Sequence, residues 1–369
     1  RLYFTMTDEL YMRRCIALAR RAAGYNQPNP PVGALLAYEG RVLGEGWHEL
    51  YGQAHAEVNA VRAVALEDAH LLPLSTLYVT LEPCHHTGKT PPCVDLVLRT
   101  GIRRVVVAMQ DPFELVAGKS IAKLRAAGVE VVVGVCEAEA RELAKRFLTM
   151  VEQKRPYIVL KFAQSADGFI SRKGEQTRIS GALAQRLTHQ WRGEEQAILV
   201  GSETVRIDNP QLNNRFGKRS PLRIVVDRRA RLATDADSYY VFDGSQPTWL
   251  VHASDSTQTQ TQELRPNLRR IFLADSAALD DVAFLQRLLA YLHEQKIQSL
   301  LVEGGSSLLQ SFLRARLFDE LRQITATRLH LGSGVPAPDV QGLRLVATEP
   351  IADGSGDELR YFQPPINAQ

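Results

Sequence analysis

The residues with the most chemistry to offer lie in two short stretches, AHAEVNA (Ala54–Ala60) and TLEPCHHTGKTPPC (Thr80–Cys93). The first sets His55 two residues ahead of Glu57, and the second carries Cys84 and Cys93, each directly behind a proline. A disulfide, a packed core or a metal site would each account for cysteines placed this way. Only four cysteines occur in 369 residues, too few for the disulfide framework of a secreted domain. Cys15 stands at an apolar helical spacing in YMRRCIALA and Cys136 ends the apolar run VEVVVGVC, so both are expected to be buried structural thiols. Cys84 and Cys93 sit among polar loop residues instead. With His55 they form a set of one imidazole and two thiols. Three such ligands are what a catalytic zinc takes while one position stays open for water. If His55 opens a helix, Glu57 falls near the metal without binding it. A carboxylate there can take a proton from water and later return it.

A lone His-x-Glu at a helix start is common and usually without consequence. The ordered series His-x-Glu, strand, Glu-Pro-Cys, loop, Pro-Pro-Cys is much harder to reach by chance. The arrangement H-x-E…P-C is a zinc-deaminase signature; that signature ends C-x-x-C, whereas eight residues separate the cysteines here. The wider loop carries Gly88, Lys89 and Thr90, a cation and a hydroxyl beside a flexible residue, which suits a phosphate monoester. A purely structural zinc would need a fourth protein ligand. His85 or His86 would have to supply it, and a neighbour of Cys84 is awkwardly placed to do so.

These residues need elements to hold them. DELYMRRCIALARRAAG has helical spacing and ends at Gly24; VGALLAYEGRVLGEGW reads as a hairpin turning at Glu39–Gly40. HAEVNAVRAVALEDA is helical, STLYVTLE a strand, CVDLVLRTG a helix closed by Gly101, and RRVVVAM a strand. SIAKLRAAG then leads into VEVVVGV, and one long helix is expected from about Glu137 to Gln153. The charged end of that helix meets Pro156, which places a domain boundary near Lys154, with domains 6–153 and 154–369. Beyond it YIVLKFA, QAILVG, LRIVVD, TWLVHA and SLLVEGG read as strands with helices between, and ASDSTQTQTQELRPN as a polar surface segment. Strands alternating with helices in both halves predict central sheets covered by helices, an α/β fold. SLLVEGGSSLLQSFLRAR adds a buried strand, two glycines and a helix, whose free N–H groups suit a dinucleotide pyrophosphate, although it is no GxGxxG fingerprint.

Composition narrows the partners. Hydrophobic residues make up 45% and charged ones 23%, ordinary for a globular protein. A net charge of +3 gives no reason to expect a nucleic-acid face. No apolar run approaches the ~18 residues that span a bilayer. RLYFTM is too short for a secretory leader, Met6 reads as the natural start, and the cytoplasm is the expected compartment.

The motifs PNPPVGALL, GEGWH, HAEVNA, LEPCHHTGKTPPC, MQDP and VAGKS together resemble the deaminase half of the bifunctional riboflavin-biosynthesis deaminase/reductases. The resemblance continues through YIVLKFAQSADGFI, AILVGSETVRIDNPQL, PLRIVVD and LLVEGGSSLLQSFL, and so covers nearly the whole chain. The zinc motif alone does not separate this family from cytidine or tRNA-adenosine deaminases; the intercysteine loop and the second half do. The resemblance implies a cytidine-deaminase-like α/β/α domain followed by a dihydrofolate-reductase-like α/β domain. It implies one zinc ion, NADPH, and a 2,5-diamino-6-ribosylamino-pyrimidinone 5′-phosphate as substrate. That substrate would lose its 2-amino group to water and then take hydride at C1′ of the ribose. It also implies a homo-oligomer, dimer or tetramer, formed through the reductase half.

Carried over residue by residue, the resemblance places Asn29 and His48 in the base pocket, Lys89 and Thr90 on the phosphate, and Asp111 in the same pocket. Cofactor contacts fall on Ala163, Arg178, Thr204, Asp208 and the run Gly305, Ser306, Ser307, Leu308, Leu309, Gln310 and Ser311. Substrate contacts fall on Gln176, Arg192, Leu212, Arg215 and Glu303, with Arg192 and Arg215 expected to grip the phosphate. The chain departs from the family in four places. DPFE stands for DPNP, putting Phe113 where an amide is usual, and Ala34 stands where many relatives have Cys. Arg178 replaces an aromatic residue in GEQTRIS. Arg228, followed by Arg229 and Arg231, replaces a small polar residue after VVD, and is expected to approach the 2′-phosphate of NADPH.

Overall fold

Alternation of side chains along the first strands settles how the N-terminal half is layered. The computed structural model describes residues 6–22, 24–85, 91–113, 117–235 and 238–365. The chain divides into two compact units, Arg1–Lys154 and Arg155–Gln369.

The first unit runs α1 (Met6–Arg20), β1 (Gly33–Tyr38), β2 (Arg41–Trp47), α2 (Ala56–Arg62), a 3-10 segment (Leu66–Leu74), β3 (Thr76–Leu81), α3 (Cys93–Thr100), β4 (Arg104–Met109), α4 (Lys119–Ala126), β5 (Glu130–Val133), α5 (Glu137–Leu143) and α6 (Lys145–Glu152). Its sheet has the order β2-β1-β3-β4-β5. The β1–β2 hairpin and the β1–β3 pair are antiparallel; β3, β4 and β5 are parallel. Leu35, Tyr78 and Val106 face α1, α5 and α6, while Leu36, Leu77, Val79 and Val105 face α2, α3 and α4. Each strand therefore buries both faces, and the helices make the two outer layers.

Close approach of α2 to β2 depends on two glycines. A Cβ at Gly44 would lie 2.3 Å from the Ala60 carbonyl oxygen, and one at Gly46 2.6 Å from the Ala60 amide nitrogen. Gly101, at φ 73°, closes α3 in the left-handed region where a side chain is costly. The single helix expected over 137–153 is two, broken at the buried Ala144, which takes φ −93° and ψ 8°. Cys15 is fully buried; Cys136 is only half-buried and takes φ 57° ahead of α5.

The second unit runs β6 (Tyr157–Ser165), β7 (Phe169–Ser171), α7 (Ala182–Glu194), β8 (Ala197–Gly201), α8 (Ser202–Asp208), β9 (Leu222–Val226), β10 (Thr248–Ala253), β11 (Gln260–Arg265), β12 (Leu268–Leu273), α9 (Asp281–Glu294), β13 (Ser299–Glu303), α10 (Ser306–Arg314), β14 (Glu320–Ala326), β15 (Val335–Pro336), β16 (Arg344–Pro350) and β17 (Asp357–Gln363). Its main sheet has the order β11-β12-β10-β9-β8-β13-β6-β14-β17-β16. The strands from β12 to β14 are parallel, and antiparallel β11, β17 and β16 finish the edges. Alternate residues of β6 again divide between two cores: Ile158, Leu160 and Phe162 with α9 and α10, Tyr157 and Val159 with α7 and α8.

The polar segment read from ASDSTQTQTQELRPN contains β11, an exposed edge strand. Apart from Leu264, which packs against the core, it is held by the backbone ladder to β12. No described helix is long and apolar enough to cross a membrane.

Gly46→Ala is expected to cost about 1–3 kcal/mol by pushing α2 off the sheet, read as a fall in the denaturant midpoint. An unchanged midpoint would show that α2 moves without cost.

Candidate functional site

His55, Cys84 and Cys93 arrive from three separate points of the first unit. His55 is the residue from which α2 starts, with extended backbone at φ −74° and ψ 165°. Cys84 follows β3, and Cys93 is the first residue of α3, behind Pro92. Backbone bonds tie the two cysteines: the Val94 N–H donates to the Cys84 carbonyl, and the Cys93 N–H donates to Cys84 Sγ at 3.2 Å. His55 Nδ1 lies 3.5 Å from Cys84 Sγ and 3.4 Å from Cys93 Sγ. All three donor atoms lie within 4.8 Å of one another, and they form the one such group found among the described residues.

Ordinary Zn–S and Zn–N bond lengths at a tetrahedral centre put sulfur and nitrogen about 3.6 Å apart, so the donor set fits zinc in type and spacing. The two sulfurs share a proton: the hydrogen bond from Cys93, aided by those from His55 and the Cys93 backbone, draws the Cys84 thiol down to about 4. The same bond together with burial drives the Cys93 thiol up. Glu57, 4% exposed, is pushed up to about 7 by burial first and by the charge of Cys84 second. It shares a hydrogen bond with Cys93, so its carboxyl stands beside the donor set.

Asn29 and His48 lie together next to this group. Asn29 Nδ2 is 3.0 Å from His48 Nε2, and His48 Nδ1 is 3.2 Å from the Ala54 carbonyl oxygen. The His48 ring stands edge-on to His55 at 5.3 Å, and burial pushes its pKa down. Lys89 and Thr90 fall outside the described residues. Asp111 is held by its N–H to Glu82, while its carboxylate accepts from the Phe113 N–H at 2.9 Å. Phe113 is 46% exposed and sets its ring against Phe147 of α6 at 6.0 Å, an apolar contact that an amide would not make.

Glu82 is a residue that sequence reasoning passed over. It is buried two residues before Cys84, and its carboxylate accepts from the N–H groups of Asp111, Gly118, Ser120 and Ile121 at 2.9–3.4 Å. It thereby caps the start of α4 and ties the Asp111 loop to the cysteine loop. An acid ending an apolar strand was the available signal.

In the second unit two cavities, of about 750 Å³ and about 920 Å³, share Glu203, Thr204, Gly305 and Ser307 in their walls. The smaller one is lined by Ala163, Gln176, Arg178, Thr204, Asp208, Glu303, Gly305, Ser306 and Ser307, and by Lys161, which the sequence did not single out. The larger one adds Leu308, Ser311, Arg228, Arg229 and Arg231. Gly304 turns the chain from β13 into α10 at φ 129°, where a Cβ would meet Thr204 Oγ1 at 2.8 Å. The Gly305 N–H donates to that same oxygen at 2.8 Å. A glycine turn opening a helix beside connected cavities of this size fits a dinucleotide.

Other expected contacts fall elsewhere. Leu309 is fully buried in the core and Leu212 is 2% exposed, so any contact from either would come from its backbone. Gln310 accepts from the Asp339 N–H. Arg192 was expected to grip phosphate, but Glu303 takes its guanidinium in a two-point ion pair at 2.8 Å. Arg215 is exposed and outside both cavities, its N–H directed to His189 Nδ1.

Lys161 pairs with Glu303 in the β6–β13 register. Burial lowers its pKa, with Glu303 opposing. Burial would raise the Glu303 carboxyl, but Arg192 outweighs it and holds the group below its usual value. Arg228 pairs with Asp281 at 2.7 Å, donates to the Leu279 carbonyl, and lies 4.5 Å over the Phe284 ring.

Comparison with known proteins bears on both units. Residues 5–109 match the family model of the cytidine and deoxycytidylate deaminase zinc-binding region, and residues 156–352 match that of the RibD C-terminal domain. The riboflavin biosynthesis protein RibD of Aquifex aeolicus is 39% identical over 92% of this chain and 92% of its own. That of Escherichia coli is 35% identical over 98% of each. The crystal structure of a diaminohydroxyphosphoribosylaminopyrimidine deaminase/5-amino-6-(5-phosphoribosylamino)uracil reductase from Thermotoga maritima superposes with a TM-score of 0.84. It shares 33% identity and covers 97% of this chain and 98% of its own. Acinetobacter baumannii RibD, form 1, gives a TM-score of 0.83 at 31% identity, covering 97% and 99%.

Glu82→Ala strips four backbone N–H groups of their acceptor. The expected cost is about 2–4 kcal/mol of stability, since each buried unpaired donor costs about 1–3 kcal/mol and water recovers part. Denaturant unfolding of the first unit measures it, and a cost under half a kcal/mol would show that the carboxylate is dispensable.

Proposed function

The chain belongs to the RibD family of riboflavin biosynthesis proteins, and from that membership we propose how its own residues divide the work of a deaminase and a reductase. The protein is a bifunctional enzyme of the riboflavin pathway, a zinc-dependent deaminase followed by an NADPH-dependent reductase. Its substrate in this reading is 2,5-diamino-6-ribosylamino-4(3H)-pyrimidinone 5′-phosphate. Hydrolysis of the 2-amino group and reduction of the ribosyl chain give 5-amino-6-ribitylaminouracil 5′-phosphate.

The observation that carries the deaminase assignment is the buried Glu57 carboxyl beside a His–Cys–Cys group at tetrahedral spacing. His55, Cys84 and Cys93 would hold the zinc, whose charge would lower the pKa of water from about 16 to about 7. Glu57 takes the proton released and passes it to the ring nitrogen; as the C–N bond breaks it carries the proton of the added hydroxyl, which becomes the new carbonyl, to the departing ammonia. Burial suits it to the task, because a carboxyl near 7 both accepts and donates at neutral pH. Asn29 and Asp111 orient the heterocycle, and Lys89 with Thr90 holds the phosphate.

NADPH supplies hydride to C1′. The glycine turn and the start of α10 would hold its phosphates, and Ala163, Thr204 and Asp208 of the adjoining wall would contact it. Opening of the ribose ring leaves an oxygen that needs a proton. Lys161, beside Glu303 in strand register, lining the smaller cavity and with its pKa lowered by burial, is placed to deliver it. Glu303, fixed by Arg192, serves as the carboxylate that orients Lys161 and the ribose hydroxyls. Gln176 and Arg178 close the same cavity. Arg228, stacked on Phe284 in the larger cavity, reads the 2′-phosphate with Arg229 and Arg231 beside it. Association through the C-terminal unit and a cytoplasmic location belong to the same proposal; β16, at the sheet edge, exposes Leu345 and Val346.

Incubation with the diaminopyrimidine phosphate, with and without NADPH, followed by mass analysis, is expected to show the deaminated and then the reduced product. Glu57→Gln should keep zinc and slow ammonia release by about 10²–10⁴-fold; undiminished release would remove Glu57 from the chemistry. Arg228→Ser should bring NADPH binding close to that of NADH, measured by quenching of protein fluorescence. An unchanged binding ratio would exclude Arg228 as the reader of the 2′-phosphate.

A further inference from the structure

We propose that His48 acts on the base only indirectly, by setting the amide of Asn29 and so deciding which heterocycle edge the first unit accepts. This rests on the reading of that unit as a deaminase. For a neutral His48 ring the chain of hydrogen bonds leaves one consistent assignment of protons. A carbonyl oxygen has none to give, so at 3.2 Å from the Ala54 oxygen, His48 Nδ1 must carry the hydrogen. In the neutral ring Nε2 is then a bare acceptor. Asn29 meets it at 3.0 Å and must turn its NH2 group toward it. The flipped amide would set two acceptors against each other beside a ring that is 3% exposed.

With one N–H committed to His48, Asn29 keeps its carbonyl oxygen and one N–H for a ligand. That pair matches an amide-like edge, a ring N–H beside an acceptor. Without His48 the amide would rotate and present either order of donor and acceptor.

The relay is anchored next to the metal ligands. Ala54 immediately precedes His55, and its oxygen is the terminus of the chain of bonds. Asn59, on α2, donates to the Trp47 carbonyl at 2.9 Å and reaches the Ala54 oxygen at 3.4 Å, which pins both ends of the loop carrying His48. The Asn29 backbone is fixed in turn by its N–H to the Asn26 carbonyl at 2.9 Å. Movement of the amide therefore requires movement of the loop that places His55.

A double-mutant cycle in the full chain tests this. Zinc content, NADPH-dependent reduction of the deaminated substrate, and kcat/KM for ammonia release are measured for Asn29→Ala, His48→Phe, the double variant and His48→Gln. Each single variant is expected to lose about tenfold to a hundredfold in kcat/KM, chiefly through KM, while keeping zinc and reductase activity. The double variant should fall no more than about threefold below the worse single one, because the two residues act as a unit. Gln can donate to Ala54 and accept from Asn29, so His48→Gln should recover most of the loss. Losses that multiply in the double variant would overturn the proposal, as would a Gln variant no better than Phe. Loss of zinc from His48→Phe would also overturn it, since His48 would then be a brace of the metal loop. Failure of the deaminase reading itself looks different: the unaltered chain would release no ammonia.

Discussion

Two sulfurs that each lie 3.4–3.5 Å from one imidazole nitrogen, all three donors within 4.8 Å, are costly to hold in their metal-binding forms unless a cation stands among them. The two thiols bear on each other: the hydrogen bond between them draws Cys84 down and, together with burial, drives Cys93 up. Much of the first unit serves to keep these donors close. The prolines ahead of both cysteines restrict the loop ends, the Cys93 N–H points at Cys84 Sγ, and Gly44 and Gly46 let α2 settle against β2. Glu82 holds the adjoining loop from the other side through four backbone bonds. All of these lie on the sheet face covered by α2, α3 and α4, so a helix displaced there would disturb both metal and proton carrier.

The second unit meets a different demand. A dinucleotide needs length and free backbone donors rather than a tight cluster, and a parallel sheet delivers both at the ends of its strands. Gly304 and Gly305 make the turn after β13, with Thr204 of α8 bonded across to it. The ionisable groups are sorted around this turn. Arg192 neutralises Glu303 from one side and Lys161 approaches from the next strand, so that a buried carboxylate stays charged. In the larger cavity three arginines gather, one of them stacked on Phe284.

Residues were legible in the sequence where their neighbours are set locally. His55 and Glu57 follow from the start of a helix, Cys84 and Cys93 from proline-bound loops, and the glycine turn from the switch between a buried strand and a helix. The strands β6, β8, β9, β10 and β13 were readable because both faces are buried and their residues are continuously apolar. β11 was not, being polar and at an edge. The break at Ala144 left no mark in an even helical pattern.

The amino-acid order by itself determined the kinds of groups on offer, the α/β alternation and the ligand spacing, since these depend on backbone propensities and periodicity within a few residues. Tertiary structure alone decided who partners whom. Arg192 and Glu303 are 111 residues apart, and their pairing fixes the guanidinium of an arginine expected to hold phosphate. Glu82 finds its donors on a loop beyond β4, Lys161 comes beside Glu303 through strand register, and Asn29 lies against His48. Each of these is fixed by which strands lie side by side and how deeply a charge is buried, quantities that exist only once the chain has closed on itself.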